Sequence, residues 1–403
     1  MRTPVHSYEQ LRRCIIVVNG LRHQGDLVDL SAIADVLSRW AACESPSSDA
    51  QAVNRMMDLA VAAMSDVGEI SVDRIPGRDG IGDVVLLRAG PQHQRIGSLL
   101  IGHLDTVHPI GTAAGPLPIR RDEDRLYGPG LYDMKGGVFC AMAALARAAC
   151  DGTLTKPTVM LLSPDEEIGS PTTRALIEQL AMNADQALVV EPARSDGAVV
   201  TARKGVAWYQ FDVQGVPSHA GTHYADGRSA IRGACELILE IEGKTDEPGG
   251  TTVSVGKIIG GTARNVVPSQ CKFTADVRVT NVASARIIED AMQSARPRDE
   301  RLRVTVTGGF NRPPYEKTVA NARLLAHAQS VAGSLGISLP DVPMVGGGSD
   351  GNFTSALGVA TLDGLGVEGG GAHTFDEHCL LSSIPSRIGL LTELLRTPLP
   401  TEV

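Results

Sequence analysis

The chain has 403 residues, of which 43% are apolar and 21% are charged, and its formal net charge is −9 at pH 7. This length exceeds one ordinary hydrophobic core, so we expect two domains. An acidic chain without a basic patch is poorly suited to nucleic acid, and we exclude nucleic acids as partners.

The first segments predict a protein that enters no membrane. The apolar run at residues 14–18 is too short for a signal peptide or a transmembrane span. Seven cysteines without a CxxC spacing are typical of reduced thiols. We therefore expect a cytoplasmic location.

The next part of the chain predicts two helices and then a buried sheet. Apolar residues recur at three- and four-residue intervals over residues 27–41 and 50–66, as in amphipathic helices. Short runs of consecutive apolar residues follow, and strands buried on both faces have this pattern. The runs lie at residues 83–88, 98–102, 158–163 and 187–190. An alanine-rich helix at residues 137–149 separates two of them, which favours a parallel sheet covered by helices.

The pattern changes near residue 205. Strands predicted at residues 206–213, 271–279 and 303–307 alternate apolar and polar residues, and helices are predicted at residues 228–242 and 283–295. Alternation indicates one solvent-exposed face, so we expect a separate α+β domain here.

The first pattern resumes after this domain. It predicts a helix at residues 321–335, a glycine-rich turn at residues 346–351, a strand at residues 359–362 and a last helix at residues 384–395. The predicted fold class is therefore α/β, with a mostly parallel sheet covered by helices and an inserted α+β domain. The predicted boundaries are residues 1–204 and 313–403 for the first domain and residues 205–312 for the insertion.

Five residues with metal-binding side chains lie in widely separated stretches, and four of them follow strand-like segments of the parallel type. They are His103, Asp133, Glu167, Glu191 and His373. Imidazole and carboxylate groups are ordinary ligands of zinc-like ions. Because active sites of open α/β sheets lie at the carboxyl edge of the strands, we predict a metal centre that hydrolyses a carbon–nitrogen or carbon–oxygen bond.

Each of these residues also has a structural interpretation when it is taken alone. His103 and Asp105 are spaced like a surface pair, and the three acids at residues 165–167 suit the start of a helix. In the metal interpretation, Asp105 is placed to hydrogen-bond the second ring nitrogen of His103. His378 competes with His373 for the ligand role, and spacing does not separate them.

Together these segments resemble the M20 family of metallopeptidases. Within it they are similar to the glutamate carboxypeptidase (carboxypeptidase G2-like) branch, which is related to acetylornithine deacetylase and succinyl-diaminopimelate desuccinylase. The resemblance rests on seven short motifs in the same order, namely His-Leu-Asp-Thr-Val at 103–107, Gly-Pro-Gly-Leu-Tyr-Asp-Met-Lys-Gly-Gly at 128–137, Asp-Glu-Glu-Ile-Gly-Ser at 165–170, Glu-Pro at 191–192, Ser-His-Ala-Gly at 218–221, Gly-Gly-Ser-Asp at 347–350 and Gly-Ala-His-Thr at 371–374.

The resemblance implies a role for each ligand. Asp133 is expected to bridge two divalent ions, with His103 and Glu191 on one ion and Glu167 and His373 on the other. It thereby favours His373 over His378. Zinc is the default metal, and cobalt or manganese suit the same nitrogen and oxygen donors.

The resemblance also implies the mechanism. Glu166 is expected to be the general base, Asp105 to support His103, and the Asp133–Met134 peptide to be cis. Two divalent ions are balanced by three carboxylates and one bridging hydroxide, and bound metal lowers the pKa of water from ~15.7 to ~7. Glu166 would take a proton from this water and pass it to the leaving amine.

The inserted domain is implied to be a lid and dimerisation domain. Its His219 is expected to reach the active site of a partner subunit in a homodimer and to stabilise the oxyanion. Asn265, Arg278 and Arg312 are expected to contact the substrate's carboxylate or carbonyl, and the backbone near Gly348 to assist. Arg278 also has a simpler interpretation as a surface ion pair with Asp276.

Two departures from the family bear on the substrate. Tyr132 stands before the bridging aspartate, where many relatives have a small residue, and its ring is placed to line the substrate pocket. The stretch at residues 197–200 is apolar, where the glutamate-selective branch carries a further cation.

Three functions are compatible with these observations. The leading one is release of an amino acid with a free carboxylate from an acyl or peptidyl group. The second is hydrolysis of a small aromatic or other non-peptide amine, and the third is a catalytically silent binding protein. An intact Glu166 disfavours the third.

Overall fold

The computed structural model describes residues 29–64, 67–92 and 95–399. The chain divides into two compact units. The first unit holds the described residues up to Thr201 together with Lys317–Pro343 and those from Ser349 onward. The second, inserted unit comprises Ala202–Glu316 and the short segment Met344–Gly348, which the sequence patterns did not indicate.

The helices of the described residues are α1 (Leu30–Ala42), α2 (Ala50–Met64), α3 (Gly136–Cys150), α4 (Arg174–Met182), α5 (Ala230–Glu242), α6 (Val282–Ser294), α7 (Val319–Ser334), α8 (Gly351–Ala356) and α9 (Ser383–Arg396). The strands are β1 (Ser71–Ile75), β2 (Val84–Ala89), β3 (Ile96–His103), β4 (Arg120–Asp122), β5 (Arg125–Tyr127), β6 (Thr158–Ser163), β7 (Ala184–Val189), β8 (Val199–Val200), β9 (Gly205–Gln214), β10 (Thr252–Gly260), β11 (Gln270–Val279), β12 (Arg303–Arg312), β13 (Asp341–Val342), β14 (Ala360–Leu362), β15 (Gly369–Gly370) and β16 (His378–Leu380).

The first unit is built on a six-stranded sheet in the order β1-β2-β6-β3-β7-β14. Strands β6, β3, β7 and β14 run parallel, and β2 and β1 continue the sheet in antiparallel pairing. A smaller antiparallel sheet in the order β15-β16-β5-β4 lies in the same unit.

Strands β2, β3, β6, β7 and β14 of the six-stranded sheet are buried on both faces, as the unbroken apolar runs predicted, whereas edge strand β1 is mostly exposed. Along β3, Leu100 belongs to the core that includes helices α1, α2, α3 and α9. Its neighbours Leu99 and Ile101 point to the opposite core, where Ile177 of α4 and Phe353 of α8 pack. Successive side chains of a strand point to opposite faces, so a strand in such a sheet is apolar throughout.

Polar side chains fix the beginnings of the first two helices. The Asp29 carboxylate accepts hydrogen bonds from the backbone amides of Ser31 and Ala32 before α1. Asp49 accepts one from Ala52 at 2.9 Å before α2. These bonds satisfy amide groups that have no partner within the helix.

The inserted unit is an antiparallel sheet in the order β10-β11-β9-β12 with helices α5 and α6. Buried and exposed residues alternate along β9 and β11, and Phe211 stacks on Phe273 with ring centroids 4.6 Å apart. Strand β10 was not predicted. It is an edge strand with a bulge between Val255 and Lys257 and a mostly exposed second half, so its sequence lacks a regular alternation.

In the described part of the chain, no helix is long and apolar enough to cross a membrane. The six cysteines found there are free thiols, and Cys140, Cys271 and Cys379 are buried. The apolar run at residues 14–18 lies outside the described residues. The mostly parallel sheet with an inserted α+β unit confirms the predicted fold class.

Candidate metal centre

Three parallel strands bring the first site residues to one edge of the sheet. His103 is the last residue of β3, Glu191 comes two residues after β7, and Glu166 comes three residues after β6. Because β6, β3 and β7 are parallel neighbours, their carboxyl ends meet at the same edge.

Asp133 reaches this edge from a tight turn at Leu131–Lys135. The turn begins at Gly130, which has a left-handed backbone with φ +71°. A Cβ atom on Gly130 would lie 2.5 Å from Cγ2 of Thr106, so glycine is required there. The Asp133–Met134 peptide is cis, as predicted.

The two carboxylate oxygens of Asp133 face two different imidazoles. Oδ1 lies 3.3 Å from Nε2 of His103, and Oδ2 lies 3.4 Å from Nε2 of His373. Nε2 of His373 also lies 3.2 Å from Oε2 of Glu167. Nε2 of His103 lies 3.9 Å from Oε1 of Glu191. Each Nε2 atom thus faces one carboxylate of its own, and the two imidazoles share Asp133.

This donor set fits divalent cations. Ligand atoms of His103, Asp133 and Glu167 lie within 4.8 Å of one another, and so do those of His103, Glu166 and Glu191. Oε1 of Glu167 is buried and has no hydrogen-bond partner among the described residues. A buried, unpartnered carboxylate oxygen is costly, and a cation beside it would remove that cost. Imidazole nitrogen and carboxylate oxygen are ligands that suit zinc, cobalt or manganese.

The pKa values of the site residues reflect these contacts. Burial acts to raise the pKa of Asp133, but His103 and His373 outweigh it and hold that pKa well below its usual range. Hydrogen bonds to Asp133 and Glu167 raise the pKa of His373 to about 11. Burial opposes the imidazolium form of His103, yet the neighbouring Asp105 and Asp133 carboxylates raise its pKa well above the usual value. Without metal, these contacts favour the protonated form of both imidazoles.

Asp105 supports the site in a way that differs from the expectation. Nδ1 of His103 lies 2.9 Å from the backbone carbonyl oxygen of Asp105, whereas the nearest Asp105 carboxylate oxygen is 3.5 Å away. The fully buried carboxylate instead accepts hydrogen bonds from the backbone amides of Glu166 and Glu167, at 3.2 and 3.1 Å. The hydroxyl of Ser47 donates a third at 2.6 Å. Asp105 therefore orients both glutamates and the histidine.

The three acids at 165–167 have separate environments. Asp165 is fully buried, and its Oδ2 accepts hydrogen bonds from the amide and hydroxyl of Thr172, both at 2.7 Å. Glu166 and Glu167 stand on a short 3₁₀ turn that ends at Ile168. Asp165 thus stabilises the loop between residues 165 and 172, and the two glutamates lie at the candidate metal centre.

His373 and His378 occupy different surroundings. His373 has the left-handed backbone angle φ +62° and contacts Asp133 and Glu167. The ring of His378 lies against Tyr127, with centroids 5.0 Å apart, and pairs through Nδ1 with the carbonyl of Asp376 at 2.8 Å. The geometry therefore favours His373 as the ligand.

Glu377 was not predicted from the sequence. Its side chain is 1% exposed, and it accepts hydrogen bonds from the amides of Tyr132 and Asp133. His108 pairs with it at 2.7 Å. No sequence signal separates Glu377 from the acids on the surface, because its burial arises only when distant loops meet.

A second residue that the sequence analysis missed is Arg194. It lies three residues after Glu191, and its Nε atom is buried without a hydrogen-bond partner among the described residues. The hydroxyl of Tyr132 donates to the carbonyl of Ala193 at 2.8 Å. Burial raises the pKa of Tyr132, and the positive charge of Arg194 opposes this rise. Arg194 is therefore a cation that follows Glu191 in the sequence, and it lies nearer to Glu191 than the apolar stretch at residues 197–200 does.

The remaining predicted residues belong to the inserted unit. Arg278 makes a two-pronged ion pair with Asp276, with distances of 2.8 and 3.0 Å. This is the contact that the simpler interpretation of Arg278 expected. Arg312 is buried, and a Cβ atom on Gly348 would lie 2.6 Å from its Cδ. Arg312 and Gly348 are therefore close neighbours.

The structure brings His219 and Asn265 together. The amide of Ala220 donates to the carbonyl of Asn265 at 2.9 Å. Nδ1 of the exposed His219 accepts from the amides of Gly221 and Thr222, at 3.1 and 3.2 Å. A neutral imidazole that accepts at Nδ1 carries its proton on Nε2, which leaves Nε2 as a donor.

Comparison with known proteins identifies the family. A sequence profile of peptidase family M20/M25/M40 matches residues 99–397, which is well over half of the chain. The chain belongs to this family. It is therefore a metal-dependent hydrolase, and the predicted M20 resemblance is confirmed.

Relatives of this M20 hydrolase are named for hydrolysis of amide bonds. Carboxypeptidase G2 of Pseudomonas sp. (strain RS-16) is 29% identical over 308 residues, which cover 74% of this chain and 72% of that protein. Acetylornithine deacetylase of Myxococcus xanthus is 31% identical over 239 residues, which cover 55% of this chain and 61% of that protein.

Solved structures of M20 enzymes share the fold. The crystal structure of aminopeptidase PepT from Bacillus cereus ATCC 10987 matches with a TM-score of 0.72 at 19% identity, and the match covers 91% of this chain and 98% of that chain. This likeness supports the fold class alone.

Proposed function

We propose that this M20 hydrolase is a dinuclear amidase of the carboxypeptidase or aminoacylase type. It releases an amino acid with a free carboxylate from an acyl or peptidyl group. The observation that carries this proposal is the arrangement of Asp133, whose two oxygens face His103 and His373. A carboxylate between two imidazole-containing ligand groups suits a bridge between two ions.

The distances support the proposed ligands. His103 and Glu191 would hold one ion and His373 and Glu167 the other, with Asp133 shared between the two pairs. We propose zinc as the native metal. When bound, such ions acidify water to a pKa of ~7 and polarise a carbonyl oxygen.

Glu166 is proposed as the general base and acid. Its carboxylate lies in a group with His103 and Glu191 whose ligand atoms are within 4.8 Å of one another. Its backbone amide is held by Asp105 at 3.2 Å. Glu166 takes the proton of the attacking water and delivers it to the departing amine nitrogen.

The inserted unit is proposed to serve as lid and dimerisation domain. The Nε2–H donor of His219 suits an oxyanion. Edge strand β10 exposes Ile258 and Ile259, and along one edge it has no partner strand among the described residues. Exposed apolar edge strands commonly pair with another chain, which supports a homodimer.

Recognition of a substrate carboxylate is proposed to involve arginine side chains. Arg278 and Arg312, with Asn265 and the backbone at Gly348, are the proposed contacts in the inserted unit. Arg194 is the proposed contact beside the metal centre, because its Nε lacks a partner among the described residues. A cation at this place favours an acidic substrate over a small aromatic amine.

The test of this proposal combines metal analysis with a substrate panel. We expect two metal equivalents per chain, and hydrolysis of N-acyl amino acids or dipeptides at rates lost on chelation and restored by zinc, cobalt or manganese. The panel also contains aromatic amides without a carboxylate. Preference for these amides would favour the aminohydrolase, and absence of both metal and hydrolysis would contradict the proposal.

A further inference from the structure

Glu377 is a buried carboxylate on which four hydrogen-bond donors converge. Oε1 accepts from the backbone amides of Tyr132 and Asp133, each at 3.0 Å. Oε2 accepts from the amide of Gly130 at 3.1 Å and pairs with Nε2 of His108 at 2.7 Å. Each oxygen therefore has two partners.

These donors explain how a carboxylate can be buried here. Glu377 is 1% exposed and His108 is 4% exposed. Among the residues that the structure describes, no lysine or arginine makes an ion pair with Glu377. A buried charge is tolerated when hydrogen bonds replace its hydration, and three backbone amides with one imidazole provide this replacement.

The same contacts join the two loops that carry site residues. The three amides belong to the turn that carries Asp133, and the backbone carbonyl of Glu377 accepts a further bond from Gly128 at 3.2 Å. Glu377 lies four residues after His373 in the loop between β15 and β16. The Glu377 side chain thus connects the turn that carries Asp133 to the loop that carries His373 by hydrogen bonds.

We infer that Glu377, supported by His108, is a positioning residue that sets the Asp133 carboxylate relative to His373. The inference deepens the proposed function and rests on it. Glu377 touches neither metal nor substrate and acts through the backbone on both sides of Tyr132. Partners of this kind orient metal ligands, and their loss typically lowers metal affinity by ~10–100-fold.

A glutamine cannot replace this carboxylate, although it has the same size. Its amide group offers one acceptor oxygen and one NH₂ group. Whichever way the amide is turned, its NH₂ faces at least one backbone N–H donor: the amides of Tyr132 and Asp133 in one orientation, and the amide of Gly130 in the other. Glu377→Gln should therefore displace one side of the turn.

The experiment compares Glu377→Gln with Asp376→Asn in the full chain. Asp376 is the exposed neighbour, and its side chain has no partner among the described residues, so this control removes the same charge. Zinc affinity is measured by competition with a chromophoric chelator, and the visible spectrum of the cobalt-loaded protein reports ligand geometry. Near-ultraviolet circular dichroism checks that each variant is folded.

We expect Glu377→Gln to bind zinc ~10–100-fold more weakly, with an altered cobalt spectrum and a lower kcat at little-changed KM. Asp376→Asn should match the parent. A folded Glu377→Gln protein with parental zinc affinity and cobalt spectrum would overturn the inference. If Glu377→Gln does not fold, zinc affinity is measured instead for His108→Phe, which removes one of the four donors. A reduced affinity would support the inference, and an unchanged affinity would overturn it.

The metal readouts separate this inference from the proposed function. Weakened zinc binding in Glu377→Gln supports the positioning role even if the parent hydrolyses no amide, which would contradict only the proposed reaction. Conversely, an active parent with an unaffected Glu377→Gln variant would contradict only the positioning role.

Discussion

One carboxylate oxygen of Asp133 lies 3.3 Å from Nε2 of His103, and the Asp105 and Asp133 carboxylates outweigh burial and raise the pKa of this imidazole well above its usual value. Hydrogen bonds to Asp133 and Glu167 raise the pKa of His373 to about 11. A metal ion needs the neutral imidazoles. Binding of a metal ion by the proposed ligands would therefore compete with protonation of both histidines.

We accordingly predict that metal affinity rises with pH. The pKa of His373 is about 11 in the metal-free state, so raising the pH from neutrality toward that value deprotonates His373 and favours binding. Calorimetric titration with zinc in buffers of different ionisation enthalpy should reveal proton release. An affinity independent of pH between neutrality and pH 9 would contradict this assignment.

The same shift predicts how the metal-free protein responds to pH. The raised pKa of His373 means that its pairing with Asp133 and Glu167 stabilises the fold fully below the ordinary pKa of 6.5. This contribution is lost as the pH rises toward about 11. The melting temperature of the chelator-treated parent should fall over this interval more than that of His373→Gln. Parallel pH profiles would argue against the pairing.

His373 and His378 should differ in metal stoichiometry. His373→Gln removes a proposed ligand, so we expect about one fewer equivalent of tightly bound metal than in the parent. His378→Gln serves as the matched control, because its ring contacts Tyr127 and not the carboxylates. Elemental analysis after gel filtration makes the comparison. Loss of metal from His378→Gln alone would reverse the assignment.

Glu166→Gln should separate metal binding from turnover. Glu166 is proposed to move the proton, so we expect kcat to fall by ~10²–10⁴-fold while metal content is retained. Glu178→Gln, on the surface of α4, removes the same charge away from the site and should leave kcat unchanged. A Glu166→Gln enzyme with parental kcat would exclude Glu166 as the base.

Asp105→Asn should impair catalysis and stability together. The Asp105 carboxylate accepts hydrogen bonds from the backbone amides of Glu166 and Glu167. An asparagine NH₂ group would face one of these two N–H donors and could not accept its hydrogen bond. Leaving a buried donor unsatisfied costs about 1–3 kcal/mol, which chemical denaturation can measure. Ser47→Ala removes only one hydroxyl donor and should cost less. Equal effects of the two substitutions would argue against the orienting role of Asp105.

Arg194→Gln should reduce selectivity for acidic substrates. A hydrogen bond to a charged group contributes about 1.5–3 kcal/mol, so we expect a loss of roughly 10–100-fold in kcat/KM for an N-acyl amino acid. The corresponding carboxamide should be little affected. Arg55→Gln, on the exposed side of α2, controls for the change in net charge. Equal losses on acid and carboxamide would remove Arg194 from carboxylate recognition.

Local patterns were sufficient for most of the elements. The apolar run before His103 predicted β3, and the alanine-rich segment predicted α3, because side-chain periodicity follows directly from strand and helix geometry. Edge strand β10 escaped prediction, since most of its side chains are exposed and a bulge interrupts its register.

The amino-acid sequence by itself determined the parallel sheet, the inserted α+β unit and the histidine and carboxylate side chains that follow its strands. These properties depend on the order of apolar and polar residues along short segments. Tertiary structure decided that the carboxylate of Asp105 binds two backbone amides, and that Glu377 is buried among four donors. Those partners are hundreds or tens of residues apart along the chain, and a hydrogen bond between them exists only once folding has brought their loops together.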